Sequence, residues 1–174
     1  VDTIIKPLYG AFNAFLEARK KRGVLELDVP ERKIELNDSG QIVAIAPRAR
    51  FDSHKLIEEF MIAANVCAAE ELERIKQPCM YRIHDAPSEE KLEALHEFLE
   101  GAGYKLNKAS VLKPRDFNRI LELAKDTPES ELINTVVLRS QSQAMYSPDN
   151  IGHFGLALKR YAHFTSPIRR YADL

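Results

Sequence analysis

Four residues near the end of the chain, Thr165, Ser166, Arg169 and Arg170, have the types and spacing to hold a phosphate or a carboxylate. Thr165-Ser166-Pro167 reads as a helix start: a hydroxyl caps free backbone N–H groups, and proline at the first helical position lacks the N–H that would go unpaired there. The positive end of that helix lies beside Ser166. Arg169 follows three residues later, so its guanidinium can fold back beside the cap, and Arg170 lies next to it. Backbone N–H groups, a hydroxyl and an arginine converging on one point make an oxyanion site. The same residue types also describe a capped surface helix with two solvated arginines.

The wider string separates these readings. His163-Phe-Thr-Ser-Pro-Ile-Arg-Arg-Tyr171, preceded by Gly152-His-Phe-Gly-Leu-Ala-Leu158, closely resembles the signature of the ribonuclease II/R catalytic domain, the RNB domain. Within that family it is most similar to the bacterial ribonuclease R branch. Arg82-Ile-His-Asp85, Leu138-Arg-Ser140 and Gln143-Ala-Met-Tyr-Ser-Pro148 are similar to the family as well, so the resemblance spans nearly the whole chain.

The resemblance implies a processive 3′→5′ exoribonuclease that draws single-stranded RNA through a channel. Metal-assisted hydrolysis then releases nucleoside 5′-monophosphates. Arg169 matches the arginine that binds the scissile phosphate and stabilises the charge of the transition state. Thr165 and Ser166, through the cap, would position that phosphate, while Arg170 or His163 would bind neighbouring backbone or support the loop. The Ile57-Glu-Glu-Phe-Met-Ile62 stretch implies that Glu58 holds the terminal nucleotides and distinguishes RNA from DNA. An ionised carboxylate reads a 2′-hydroxyl by accepting its proton. The family sandwiches the 3′-terminal base against an aromatic residue at the position of Leu27, and an aliphatic side chain lacks the π-face for that.

The family's Mg2+ is held by a cluster of closely spaced aspartates upstream of the matched region. Here the aspartates are scattered singly. The chain is therefore expected to be the C-terminal-middle part of an RNB catalytic domain (residues 1–174), without the aspartate cluster and the flanking cold-shock-like and S1-like domains. On this reading the parent is the enzyme and the fragment alone is inactive. A second reading is a catalytically dead relative that keeps the channel as an RNA-binding or scaffold module. Leu27 leans that way, and intact Glu58 and Arg169 lean against it.

Composition adds bounds. The 174 residues, 45% of them hydrophobic, suffice for one core. The net charge of −1 does not announce a nucleic-acid binder. From Arg139 onward, however, five Lys/Arg face two Asp/Glu, a basic end on an acidic body that suits a polyanion meeting one edge. No apolar run is long enough to span a membrane, and two cysteines give no disulfide framework, which fits a cytoplasmic protein; single-stranded RNA as its partner is what the resemblance implies.

The elements that must position these residues follow from periodicity. Ile4, Leu8, Ala11, Phe12, Phe15 and Leu16 predict a helix over 3–21, stopped by Gly23. Segments 24–27, 33–36 and 41–45 alternate, with a turn at Asn37-Asp-Ser-Gly40, and predict a hairpin or a three-stranded piece of sheet. A long helix opens at Asp52 or Ser53 and runs to about Lys76. It is apolar nearly all round from Phe60 to Ala69, broken only by Asn65, and is expected to be central and to bury Cys67. Glu58 and Asn65 lie two turns apart and could line a polar channel, or simply form the helix's wet side. Residues 80–85 read as extended, and Ser88 caps a helix to about Glu100. Further helices are predicted from Pro114 to Lys125 and from Thr127 to Tyr146, the last with Leu132, Val136, Arg139, Gln143 and Tyr146 on one stripe. His54, His84-Asp85 and Asp116 or Asp126 imitate a metal phosphohydrolase ligand order, but Ala86-Pro87-Ser88 is a turn where that order needs helix. The fold class is α+β: one mostly helical domain with a small antiparallel sheet.

Overall fold

The computed structural model describes residues 2–107 and 112–165. Helix α1 (Asp2–Arg22) leads through an extended strap, residues 24–30, to strands β1 (Arg32–Leu36) and β2 (Ile42–Pro47), and then to helix α2 (Asp52–Arg74). After β3 (Tyr81–Ile83) come α3 (Glu89–Gly101), α4 (Pro114–Ala124), α5 (Ser130–Ser140) and β4 (Met145–Ser147). The architecture is α+β, with two antiparallel pairs, β1–β2 and β3–β4.

The main core lies among α3, α4 and α5. Phe117, Ile120, Leu95, Leu99, Ile133 and Val137 form its centre, each 2% exposed or less. Spacings of three and four put them on one stripe of each helix, and burying such stripes drives the packing. Ser88 caps α3, its Oγ accepting from Lys91 N at 3.4 Å. At the start of α4, Asp116 Oδ2 accepts from Lys113 N at 2.7 Å. A smaller core joins Ala69 and Leu72 of α2 to Cys79, Tyr81, Ile83 and Ala162.

Segment 24–27 is not a strand. Leu25 N donates to the backbone of Gly155 at 2.9 Å, and side chains take most of the other groups: Asn118 of α4 donates to Val24 O at 2.7 Å and accepts from Glu26 N at 2.8 Å. Asn134 of α5 accepts from Asp28 N at 2.8 Å. An amide offers one donor face and one acceptor face, so it can take the place of a neighbouring strand. The strap buries Val24 and Leu25 against the helical core.

Three further expectations are corrected. Helix α5 ends at Ser140, and Tyr146 lies on β4. Ser140 Oγ and Gln141 Nε2 both donate to Val137 O, at 2.7 and 3.0 Å, so side chains compete for the carbonyl that another turn would use. The buried stripe of α5 is Ile133, Asn134, Val137 and Ser140, while Leu132 points to solvent. Helix α2 is not enveloped: only Leu56, Glu59, Ile62, Asn65 and Ala69 are buried, Ile57 is exposed, and Cys67 is an exposed thiol. The buried cysteine is Cys79.

Helix α1 docks on α2 partly through charge. Arg19 makes a forked contact with Glu26 at 2.7 and 3.2 Å, and its Nη1 reaches buried Glu59 at 2.9 Å. The hairpin β1–β2, by contrast, is exposed at every position, including Ile34, Leu36, Ile42, Val43 and Ile45. A lone two-stranded ribbon has little burial to hold it. Phe117→Ala is therefore expected to lower unfolding stability by about 3–5 kcal/mol, and Ile34→Ala by under about 0.5 kcal/mol. Urea unfolding of the two variants checks this contrast.

Candidate RNA-binding groove and terminal segment

Two clefts meet at the N-terminal part of α2. One, of about 520 Å³, is lined by Leu27, Asp28, Val29, Arg48, Arg50, His54 and Glu58, among others. The other, of about 480 Å³, is lined by His54, Ile57, Glu58, Met61, Ile62, Leu156 and Tyr161. They share His54 and Glu58, so one groove runs from the strap past α2 to Tyr161. His54 Nδ1 accepts from the Phe51 N–H at 3.3 Å, placing the imidazole at the helix start. The Glu58 carboxylate stands half-exposed on the groove wall, paired with Arg50. Leu27 lines the same cleft as Glu58.

Asn65 does not line this groove with Glu58. It is completely buried, and its amide is committed to the terminal segment. Nδ2 donates to the Tyr161 hydroxyl at 3.0 Å, and Oδ1 accepts from Phe164 N at 2.8 Å and Thr165 N at 3.1 Å. Seven residues return Asn65 to nearly the same helix face as Glu58, but two turns on that face is covered by the terminal segment, whereas Glu58 reaches solvent nearer the helix start. A single amide in an otherwise apolar helical run was the sequence signal for this: such a group is buried only where hydrogen bonds await it.

The terminal segment is fixed from its other side too. Arg82 N donates to Tyr161 O at 2.8 Å, and Tyr81 bridges to Ala162, so β3 carries the segment as a short third strand. Tyr146 Oη lies 2.6 Å from His163 Nδ1, and the Arg82 guanidinium stacks 4.6 Å from the Tyr146 ring centroid. Glu73 of α2 pairs with Arg160 and accepts from Tyr81 Oη at 2.8 Å and Asn150 Nδ2 at 3.2 Å. The Tyr81 hydroxyl and the Arg160 guanidinium hold the Glu73 carboxyl below the usual carboxylate range. Burial and the Glu73 carboxylate push the Tyr81 hydroxyl up to about 12.

Of the residues proposed from sequence, Glu58 lies on the groove, and His163 and Thr165 lie on the pinned segment. Thr165 has its N–H committed to Asn65, while its Oγ1 is buried with no hydrogen-bond partner among the described residues. Ser166, Arg169 and Arg170 lie outside the described residues. Sequence reasoning assigned no site role to Tyr146, Tyr161 or His153. No group of three or more His, Cys, Asp or Glu among the described residues could hold a metal ion, so they provide no ligand set for Mg2+. His84 in particular is engaged by protein: Nδ1 accepts from Gly155 N at 2.9 Å and Nε2 contacts Ser142 O at 2.8 Å, which fixes the neutral tautomer with its proton on Nε2. Among the described residues no helix is long and apolar enough to cross a membrane.

His84 and His153 pack ring against ring at 4.9 Å beneath the terminal segment, and His153 touches Tyr161 edge to face at 5.4 Å. Gly155 suits this contact, because a Cβ there would crowd His84 Nδ1 at 3.0 Å. Burial lowers both imidazoles, and the neighbouring His84 helps hold His153 down at about 4. The unfolded chain binds protons near pH 6.5 while the folded pair stays neutral, so stability is full above that pH and declines as pH falls toward 4. Urea midpoints should therefore drop between pH 7 and pH 5, and His153→Gln should flatten that slope whatever it does to the midpoint at pH 7.

Comparison with known proteins places this arrangement. The chain is 46% identical over 156 residues to ribonuclease R of Aquifex aeolicus, covering 90% of the chain and 22% of the relative. It is 44% identical over 170 residues to ribonuclease R of Vibrio cholerae, covering 98% of the chain and 21% of the relative. It thus spans about a fifth of the length of these relatives. Its structure superposes on apo Mycoplasma genitalium RNase R with a TM-score of 0.89 at 30% identity, covering 99% of this chain and 28% of that one. The same enzyme in complex with ribose-methylated single-stranded RNA gives a TM-score of 0.88, with the same coverage. The family model for the RNB domain matches residues 2–174, and the chain belongs to that family.

Proposed function

We propose that the protein carrying this chain is a processive 3′→5′ exoribonuclease of the ribonuclease R type, and that residues 1–174 supply part of its RNB catalytic domain. The observation that carries this reading is the 44% identity to a ribonuclease R across 98% of the chain. The groove from Leu27 past Glu58 to Tyr161 supports it. The substrate is single-stranded RNA and the products are nucleoside 5′-monophosphates, formed in the cytoplasm.

Glu58 accepts a hydrogen bond from the 2′-hydroxyl of a terminal ribose, with Arg50 orienting its carboxylate. Arg169 neutralises charge on the scissile phosphate, where donors aimed at developing charge lower the barrier most. Ser166 and Thr165 contribute donors beside it, and Arg170 and His163 support adjacent backbone. Mg2+ belongs to the whole enzyme and no step through it is assigned to these residues, because the described residues hold no ligand set for it. For the same reason the 174-residue piece is inactive by itself.

The non-aromatic Leu27 favours a second reading, a catalytically silent RNB-domain protein that binds RNA. A denaturing gel with 5′-labelled single-stranded RNA and Mg2+ separates the two. For the exoribonuclease, the full-length protein shortens RNA from the 3′ end, and Arg169→Ala slows it by about 10²-fold or more. Glu58→Gln raises cleavage of the DNA analogue relative to RNA. A full-length protein that binds RNA and never shortens it establishes the silent reading.

A further inference from the structure

The two clefts that meet on α2 have just His54 and Glu58 in common. These residues are one helical turn apart, so their side chains are neighbours on one face. Their hydrogen-bonding capacities are opposite. Glu58 brings a carboxylate, an acceptor, paired with Arg50. His54 brings a donor, and the backbone dictates which atom carries it. A backbone N–H can only donate, so the 3.3 Å contact from Phe51 N makes His54 Nδ1 an acceptor and leaves the ring proton on Nε2. Among the described residues nothing accepts from that Nε2–H, and the imidazole is exposed on the groove. Phe51 also packs against the ring, with centroids 5.4 Å apart, which steadies its orientation.

A donor and an acceptor side by side match a vicinal diol. The 3′-terminal ribose of RNA carries adjacent 2′- and 3′-hydroxyls, and each oxygen can both donate and accept. With the 2′-hydroxyl donating to Glu58, the 3′-oxygen is left for the neighbouring donor. We propose that His54 is a specificity-determining residue for the 3′ end of RNA, its Nε2–H donating to the 3′-oxygen of the ribose whose 2′-hydroxyl Glu58 accepts. The proposal rests on the exoribonuclease reading above and on the part Glu58 plays in it. Closing the start of a helix from this position needs only an acceptor, which glutamate or glutamine commonly supplies. The imidazole does that with one nitrogen and keeps the other for the groove, which sets it apart from a cap alone.

The test uses the full-length protein and 5′-labelled RNAs identical except at the last nucleotide, which carries an ordinary, a 2′-deoxy or a 3′-deoxy ribose. The kcat/KM for removing that nucleotide is measured for wild type, His54→Ala and His54→Glu, together with thermal midpoints. Wild type is expected to prefer the ordinary end over the 3′-deoxy end by about tenfold, the scale of one hydrogen bond. His54→Ala is expected to reduce that preference to about twofold or less, while its preference for the ordinary over the 2′-deoxy end persists. His54→Glu keeps an acceptor for the Phe51 N–H and offers no donor. It is expected to hold the midpoint near wild type and still to lose the 3′ preference. Any general weakening of RNA binding by the added charge cancels in the ratio.

If His54→Glu recovers the 3′ preference along with the cap, the residue acts only by closing the helix and the proposal is overturned. It is overturned equally if wild type handles ordinary and 3′-deoxy ends alike, or if His54→Ala loses the 2′ preference and keeps the 3′ one. Loss of the 3′ preference in both variants, with the 2′ preference retained, sustains it. A wild-type protein that shortens none of the RNAs defeats the exoribonuclease reading and this proposal with it. An active wild type whose two variants discriminate as it does defeats this proposal alone.

Discussion

The Asn65 amide is the interaction on which the terminal half of the molecule depends. It is the fully buried polar group of α2 that crosses to the irregular chain after β4, and its three bonds give the path of residues 161–165. A polar group with no access to water must find its partners in the protein or destabilise it. That condition makes the amide selective: α2 and the terminal segment fit together in the one register that satisfies both. Glu73, two turns further along the helix, repeats the principle with charge, gathering Arg160, Tyr81 and Asn150 onto one carboxylate.

Asparagine side chains serve the same end elsewhere. Asn118 and Asn134 hold the strap at Val24, Glu26 and Asp28, and thereby set Leu27 on the groove. In each case a regular helix presents an amide to backbone that belongs to no helix or sheet. Binding residues concentrate on irregular segments because those can take unusual shapes, and they become precise only when rigid elements hold them. The strap and the terminal segment are such pieces, one at each end of the groove, and both are held by amides from helices. The buried His84–His153 pair underlies the same region, so proton uptake by either ring would loosen the floor beneath Tyr161.

The groove itself is moderate in charge. Arg48 and Arg50 stand beside Asp28, Glu31 and Glu58, so the wall offers paired charges rather than a basic patch. A carboxylate oriented by an arginine suits the reading of a ribose hydroxyl, which needs an acceptor, more than it suits general attraction of phosphates. Overall charge could not have revealed this, because the net value of −1 averages a local arrangement away. Leu27 makes the groove's other wall apolar and non-aromatic. An aliphatic surface of this kind packs by area without the directional stacking of a ring.

The sequence by itself determined most of the helices, the Ser88 cap and the family. Ser88, Gly23 and the Asn37–Gly40 turn act over a few residues, so local chemistry decides them. The signature string near the C-terminus is specific enough to identify the RNB domain without a structure. What the sequence could not decide was which side chain faces which partner across the fold. Asn65 and Glu58 read as one polar face, yet one is buried against residues about a hundred positions away and the other stands on the groove. Residues 24–27 alternate like a strand, yet helix amides took the place of the third strand. Cys67 sits in an apolar run and is exposed, while Cys79 is buried beside Tyr81. Periodicity reports the local conformation of a segment, whereas burial and hydrogen-bond partnership depend on elements distant in sequence. Only the tertiary structure brings those elements together.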